Sequence, residues 1–163
     1  MLKIQIGNDQ ITVDDLLKVR ASYPITEVEA ASNIKRYEQE LKEVENRLFF
    51  LGRNEDLSPC AYVQLIMKNA DNDPELANGH EIAHIHDLRV RSDQQRQGIG
   101  FSLMDALEFE AFELGIKVLT LGVDNWNTQA IQFYDQLGYR KFKEVSGRSD
   151  DEVCYYMQKQ LLD

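Results

Sequence analysis

The segment Ile82 to Ala111, IAHIHDLRVRSDQQRQGIGFSLMDALEFEA, constrains the fold more than any other part of the chain. Its first nine residues are rich in β-forming side chains and predict a strand. Two glycines, Gly98 and Gly100, then precede a run with apolar residues at every fourth position from Leu103 to Ala111, which predicts an amphipathic helix. A strand, a glycine loop and a helix in succession predict an α/β protein whose helix packs on a sheet.

The glycine loop is suited to binding an anion. The first N–H groups of a helix have no partner within it, and the helix dipole places about half a positive charge there. Glycines let the backbone approach a phosphate closely. The common phosphate loops do not fit, because a Walker loop needs a lysine after Gly100 and a dinucleotide-binding loop needs a third glycine where Leu103 stands.

The pattern Gln95-x-x-Gly98-x-Gly100, after a strand that ends in LRV, resembles the pyrophosphate loop of the GNAT superfamily of acyl-CoA-dependent N-acyltransferases. Downstream, VDNWNTQAIQFYDQLGYRKF resembles the second signature of that family. The residues in register with this signature are Val123, Asn127, Ala130, Phe133, Tyr134, Leu137, Gly138 and Tyr139. A tyrosine at the last position departs from the more usual phenylalanine.

The resemblance implies an α/β (α+β) fold with a mixed, mostly antiparallel sheet of six to seven strands, about four flanking helices, and two central strands that splay apart. A chain of 163 residues with 43% hydrophobic residues suits one such domain over 1–163. An apolar stripe from Ala30 to Leu48 predicts an upstream helix, RLFFLGR and AYVQLIM predict an antiparallel pair, and Lys68 to Glu81 reads as an exposed loop.

The resemblance also implies a site for acetyl-CoA as cosubstrate. The pyrophosphate would bind the loop amides, and Arg96 would add a charge. The pantetheine arm would lie along the strand before the loop, in the gap between the splayed strands, and a backbone N–H near Leu88 would stabilise the oxyanion. The expected cofactor-binding residues are Leu88, Arg89, Val90, Gln95, Arg96, Gln97, Gly98, Ile99, Gly100, Asn127 and Tyr134.

Three residues are candidates for catalysis. His84 falls where some family members place a carboxylate general base, and His86 shares its face of the strand because side chains alternate. For His86, ordinary packing in the sheet is the favoured interpretation. Tyr134 matches the general acid of the family. His80 with the two other histidines offers no clear metal-binding spacing, so no metal is expected.

Charge and cysteine content limit the partners and the compartment. A formal net charge of −10 disfavours nucleic acid and favours a cationic acceptor such as a polyamine, an aminoglycoside or a basic peptide. Asp71, Asp73 and Glu75 in the predicted loop fit such an acceptor. No membrane span or export signal is evident, and Cys60 and Cys154 show no disulfide or zinc spacing, so we expect a cytoplasmic protein. A homodimer is compatible with the sequence.

Two functions are compatible with these features. The favoured one is an N-acetyltransferase in which a primary amine attacks acetyl-CoA directly in a ternary complex, because no cysteine lies near the expected cleft in the sequence. The alternative is a non-catalytic acyl-CoA-binding or sensor module of the same fold. Candidates for both a base and an acid favour the enzyme.

Overall fold

Seven strands in one sheet and four α-helices make up the computed structural model, which describes residues 2–21, 23–147 and 151–161. The strands are β1 (Lys3–Ile6), β2 (Arg47–Arg53), β3 (Pro59–Ile66), β4 (Ile82–Val90), β5 (Val118–Asp124), β6 (Arg140–Ser146) and β7 (Val153–Gln160). The helices are α1 (Val13–Arg20), α2 (Glu27–Lys42), α3 (Ile99–Glu113) and α4 (Thr128–Gln136). The predicted fold class is confirmed.

The strand order is β1-β2-β3-β4-β5-β7-β6. All recorded pairs except one are antiparallel, including the predicted pair β2 and β3, and the parallel pair is β4 with β5. That pair is joined through α3, as a parallel connection requires a crossover. The mostly antiparallel character of the predicted sheet is therefore confirmed.

The chain forms two compact units, and β4 contributes to both. The first comprises Met1–Ile66 with Asp87–Glu110, and the second comprises Met67–His86 with Ala111–Asp163. The proposal that 1–163 act as a single domain stays a prediction.

The first unit has its core between α1, α2 and the neighbouring strands. α1 begins with a capping box, in which Thr12 accepts from the Asp15 amide and the Asp15 carboxylate accepts from the Thr12 amide. Its fully buried residues Leu16 and Val19 pack with Tyr37 of α2 and with strand residues. Burying an aliphatic side chain of this size contributes about 1.5–3 kcal/mol, so the core holds both helices on the sheet.

The second unit is organised by β5. Leu119, Thr120 and Leu121 are buried, and β5 pairs with β7 along its whole length, from Val118 opposite Gln160 to Asp124 opposite Cys154. β7 in turn pairs with β6. These pairings place the side chains of β5 and β7 next to each other on the two faces of the sheet.

Two details differ from the sequence predictions. The stripe from Ala30 to Leu48 does not form one helix, since α2 ends at Lys42, Val44 is 66% exposed and Leu48 lies in β2. The buried residues of α2 are Asn33, Tyr37 and Glu40. Glu40 is among them because it meets polar groups of the sheet. The segment Lys68 to Glu81 is also not wholly exposed, because Ala70, Leu76 and Ala77 are buried.

Candidate active site

The glycine loop of the first unit presents a row of backbone N–H groups. Arg96 and Gly98 have positive φ angles of 64° and 79°, and α3 begins at Ile99. The Ser102 amide donates to the Gly98 carbonyl at 3.1 Å, at the start of the helix. The amides of residues 95–100 donate to none of the residues that the structure describes. The loop therefore retains the donors that an anion at a helix N-terminus requires.

Contacts on both sides hold the loop in place. The Tyr23 hydroxyl donates to the Val90 carbonyl at 2.6 Å and accepts from the Gln95 side-chain amide at 2.9 Å. The side-chain amides of Gln94 and Asn54 bond each other in both directions, at 2.8 and 3.1 Å. A loop fixed in this way can bind a ligand at a smaller entropic cost than a mobile one.

Within β4, Asp87 adopts a left-handed conformation with a φ angle of 57°. Its buried carboxylate accepts from Arg36 at 3.2 Å, from Arg89 at 3.1 Å and from the Tyr62 hydroxyl at 3.1 Å. A left-handed residue other than glycine costs about 1–2 kcal/mol, and these three bonds offset that cost. The side chains of β4 therefore stop alternating regularly at Asp87, just before the predicted cofactor residues Leu88 to Val90.

The parallel pairing between β4 and β5 is short. It covers four residue pairs, from Ile82 opposite Val118 to Ile85 opposite Leu121, although β4 continues to Val90 and β5 to Asp124. The pairing with β5 thus covers less than half of β4, and the splay of the two strands stays a prediction.

His84 is held in one tautomer by two hydrogen bonds in the second unit. Its Nδ1 atom lies 2.8 Å from Thr120 Oγ1, and the Thr120 hydroxyl donates its hydrogen to the Leu76 carbonyl at 2.7 Å. A hydroxyl has one hydrogen to give, so Thr120 must accept from His84, and Nδ1 carries the ring proton. The lone pair therefore resides on Nε2, for which no hydrogen-bond partner is found in the described parts of the chain.

The surroundings of His84 keep its ring neutral. The side chain is only 5% exposed, and burial, with a smaller effect from the positive charge of His86, lowers its pKa from 6.5 to about 4. The charges of Asp71 and Asp73 oppose this shift. At neutral pH the imidazole is thus uncharged and can accept a hydrogen bond or a proton at Nε2.

Tyr156 on β7 lies next to His84. The two ring centroids are 6.3 Å apart, and the Tyr156 hydroxyl donates to Asp71 Oδ2 at 2.9 Å. Burial, together with the negative charge of Asp71, raises the pKa of Tyr156. Opposite it on β5, Gly122 leaves room for the ring, since a Cβ there would lie 3.1 Å from Tyr156 Cε1.

The three acidic residues of the Lys68 to Glu81 segment have different partners. Asp73 and Glu75 both form ion pairs with Lys143 of β6, the latter at 3.4 Å. The hydrogen bond from Lys143 lowers the pKa of Asp73. Asp71 accepts from Tyr156 instead and forms no ion pair with any residue in the described ranges. Among the described residues, Asp71 is thus the one of these three carboxylates that contacts no cation, while the other two share one lysine.

Two further predicted residues, Tyr134 and Asn127, lie in or next to α4, and His86 lies on β4. The Tyr134 ring packs edge-on against Tyr139, with 6.1 Å between centroids. The Asn127 side-chain oxygen accepts from the Ala130 amide at 3.2 Å, so it caps the N-terminus of α4. His86 is half-buried on β4.

The structure brings in residues that the sequence did not indicate. His84 is contacted by Thr120 and adjoined by Tyr156, which faces Gly122, and Asp73 is paired with Lys143. These residues come from strands whose pairing no local motif reveals. Cys154, which is distant in sequence from the glycine loop, lies beside Gly122, with Sγ 3.2 Å from the position of a Cβ there. Burial raises the pKa of the Cys154 thiol, which keeps it protonated and a poor nucleophile.

The described residues lack two features, a metal-binding cluster and a membrane-spanning helix. They contain no group of three or more His, Cys, Asp or Glu side chains placed to hold a metal ion. None of their helices combines the length and the apolar character needed to cross a bilayer.

An open mixed sheet with an amide-lined loop before α3 is the arrangement of an acyltransferase. The family model for the acetyltransferase (GNAT) family matches residues 13–139. The chain therefore belongs to the acetyltransferase (GNAT) family.

Named relatives agree with this assignment. An uncharacterized N-acetyltransferase from Lactobacillus delbrueckii subsp. lactis is 31% identical over 115 residues, which is 70% of this chain and 65% of that protein. L-ornithine N5-acetyltransferase from Arabidopsis thaliana is 38% identical over 61 residues, 37% of this chain and 27% of that protein. The matches thus span less than two thirds of either relative.

A solved structure shares the fold over its whole length. Aminoglycoside 6'-N-acetyltransferase in complex with coenzyme A superposes with a TM-score of 0.76 at 17% identity, over 99% of this chain and 98% of that chain.

Proposed function

We propose that this protein transfers the acetyl group of acetyl-CoA to a primary amine by direct attack in a ternary complex. The observation that carries the proposal is the fixed tautomer of His84. A buried imidazole whose Nδ1–H is bound to Thr120 leaves Nε2 as the proton acceptor, and acetylation of an amine releases one proton that a base must take.

The glycine loop fits the cosubstrate. The unpaired amides from Gln95 to Gly100 match the acceptor oxygens of a pyrophosphate, and Arg96 adds a positive charge. Leu88, Arg89 and Val90 would pair with the amides of the pantetheine arm in the manner of a strand. These roles are those expected from the family resemblance, and the free state of the loop amides supports them.

The chemistry then needs three groups of the chain. The amine nitrogen forms a bond to the thioester carbon, and a backbone N–H near Leu88 stabilises the oxyanion, a type of contact worth about 3 kcal/mol. His84 Nε2 accepts the proton from nitrogen. As the carbon–sulfur bond breaks, Tyr134 donates its phenolic proton to the departing sulfur, and the acetamide and CoA result. Solvent then takes the proton from His84 and returns one to the Tyr134 phenolate, which restores both groups.

The low basicity of His84 determines when it acts. An alkylammonium has a pKa near 10, so its proton would move to a group with a pKa of about 4 against a gap of about six units, or about 8 kcal/mol. His84 therefore deprotonates the nitrogen once the bond to carbon is forming and the nitrogen has become more acidic. The acceptor attacks as the free amine.

The two free cysteines, one of them buried, support a reducing compartment, and we propose that the protein acts in the cytoplasm.

Release of thiol tests this function. The protein is incubated with acetyl-CoA and a panel of primary amines, and free CoA is measured with a thiol reagent. Amine-dependent release is expected. Binding of acetyl-CoA with no release for any amine would support the non-catalytic alternative.

A further inference from the structure

Asp71, Tyr156 and His84 form a group in which hydrogen-bond acceptors outnumber donors. The Tyr156 hydroxyl gives its hydrogen to Asp71, and His84 gives its hydrogen to Thr120. One oxygen of Asp71 and the His84 Nε2 atom then remain as acceptors. A ligand that satisfies them must bring N–H or O–H donors, which excludes a carboxylate or a phosphate.

The charge of this group points to a cation. Asp73 and Glu75 share the single positive charge of Lys143, whereas Asp71 is exposed and pairs with no cation among the described residues. The Tyr156 ring beside it already accommodates one ammonium group, since Lys143 Nζ lies 5.8 Å from its centroid, and aromatic rings attract such groups. A metal is not indicated, because no group of three ligands is present in the described ranges.

His84 provides an independent sign of a ligand. Its side chain is 95% buried, the complement of its 5% exposure, yet Nε2 has no partner in the part of the chain described here. Nε2 is not among the fully enclosed side-chain atoms that lack a partner in the described residues, so it is open to a ligand. The Tyr156 ring lies beside the His84 ring, with 6.3 Å between their centroids. The Tyr156 hydroxyl in turn donates to Asp71.

We propose that Asp71 and Tyr156 bind a second ammonium group of the acceptor, so that the enzyme selects diamines or other dibasic amines over monoamines. This inference rests on the proposed acetyltransferase function. The free amine of the acceptor attacks at His84, while the other end stays protonated and donates to the Asp71 carboxylate. Asp71 and Tyr156 thus determine specificity and take no part in proton transfer.

The experiment compares diaminobutane with butylamine, which differ by one terminal amino group. The wild-type protein should acetylate diaminobutane with a kcat/KM about tenfold or more above that for butylamine, as expected for one hydrogen bond to a charged group. Asp71→Asn should remove this preference and leave the KM for acetyl-CoA unchanged. Asparagine suits the position because Asp71 has a φ angle of 51°, which asparagine tolerates.

Glu75→Gln is the matched control. It removes the same charge from the same segment, but Glu75 contacts Lys143 and is 69% exposed. The control should keep the preference for the diamine. Tyr156→Phe, which retains the ring and loses the hydroxyl that holds Asp71, should reduce it.

The outcomes separate this inference from the proposed function. Equal kcat/KM values for the two amines in the wild type, or an equal loss of preference in Asp71→Asn and Glu75→Gln, would overturn the diamine site while leaving the acetyltransferase intact. If no amine releases thiol, the function itself fails. Calorimetric titration of the two amines into the CoA-loaded protein then makes the same comparison, and equal affinities would again overturn the site.

Discussion

The Nδ1 atom of His84 lies 2.8 Å from Thr120 Oγ1, and both side chains are buried. Because Thr120 donates its only hydroxyl hydrogen to the Leu76 carbonyl, its oxygen can only accept a hydrogen bond from the imidazole. Thr120 is thus a positioning residue, which keeps the lone pair of His84 on Nε2. The same logic operates wherever a second group orients a catalytic histidine.

Thr120→Val should disturb this arrangement without changing the shape of the core much. The Nδ1 proton loses its acceptor, so the ring can exchange tautomers, and we expect kcat to fall about tenfold or more with little change in the KM for acetyl-CoA. Nitrogen NMR of labelled His84 should show a larger fraction protonated at Nε2. Thr120→Ser should restore both values, and a wild-type nitrogen spectrum in Thr120→Val would contradict the assigned role.

Acid should destabilise the fold through His84. The unfolded chain takes up a proton at this residue below a pH of about 6.5, whereas the folded chain does so only near pH 4. Stability is therefore lost as the pH falls through this window, by about 2 kcal/mol between pH 7 and 5. Urea unfolding at the two pH values should show a smaller loss for His84→Gln. Equal losses in both proteins would mean that burial does not lower the pKa of His84.

Gly98→Ala should weaken binding of CoA specifically. Gly98 has a φ angle of 79°, with nothing within 4 Å of an added Cβ, so alanine strains the backbone by about 1–2 kcal/mol and displaces the loop amides. Gly115→Ala is the control, because Gly115 has a φ angle of 87° and equally open surroundings but lies at the other end of α3. Both variants should lose similar stability in urea, and calorimetry should show weaker CoA binding only for Gly98→Ala. Equal CoA affinity in the two variants would argue against the loop as the pyrophosphate site.

Tyr134→Phe should slow the reaction and spare cosubstrate binding. Without the phenolic proton, CoA must leave as a thiolate, and we expect kcat to fall about a hundredfold with the CoA dissociation constant nearly unchanged. Tyr155→Phe removes a phenol of the same unit outside the proposed site and should be close to wild type. Losses of equal size in kcat and in CoA affinity for Tyr134→Phe would assign the residue to binding alone.

Local motifs in the sequence predicted the part of the site that local structure forms. The strand before the glycine loop and the start of α3 follow from residues within one continuous segment, so Gly98 and the open amides behind it were predictable. His84 was selected in the same way, by its distance from that loop along β4, and its catalytic role stays a prediction.

The side-chain contacts that the sequence did not reveal arise from the pairing of strands that are far apart in the chain. Tyr156 meets Asp71 across 85 positions of sequence, and only the register of β5 with β7 brings them together. The helix stripe from Ala30 to Leu48 failed for a related reason. Its apolar spacing continues past the end of α2 at Lys42 to Leu48, which the sheet takes into β2. α2 also turns Glu40 inward because it meets Arg47 and Gln64 of the sheet, a burial that the apolar stripe does not indicate.

The measurement that tests the account most directly is the balance between CoA released and N-acetylated amine formed. The protein, acetyl-CoA and diaminobutane are incubated together, thiol is measured, and mass spectrometry quantifies the acetylated product. One acetamide for each CoA released, with a much lower rate in His84→Gln, is the predicted result. Thiol release without acetylated amine, or release that His84→Gln leaves unchanged, would contradict transfer to an amine at this histidine.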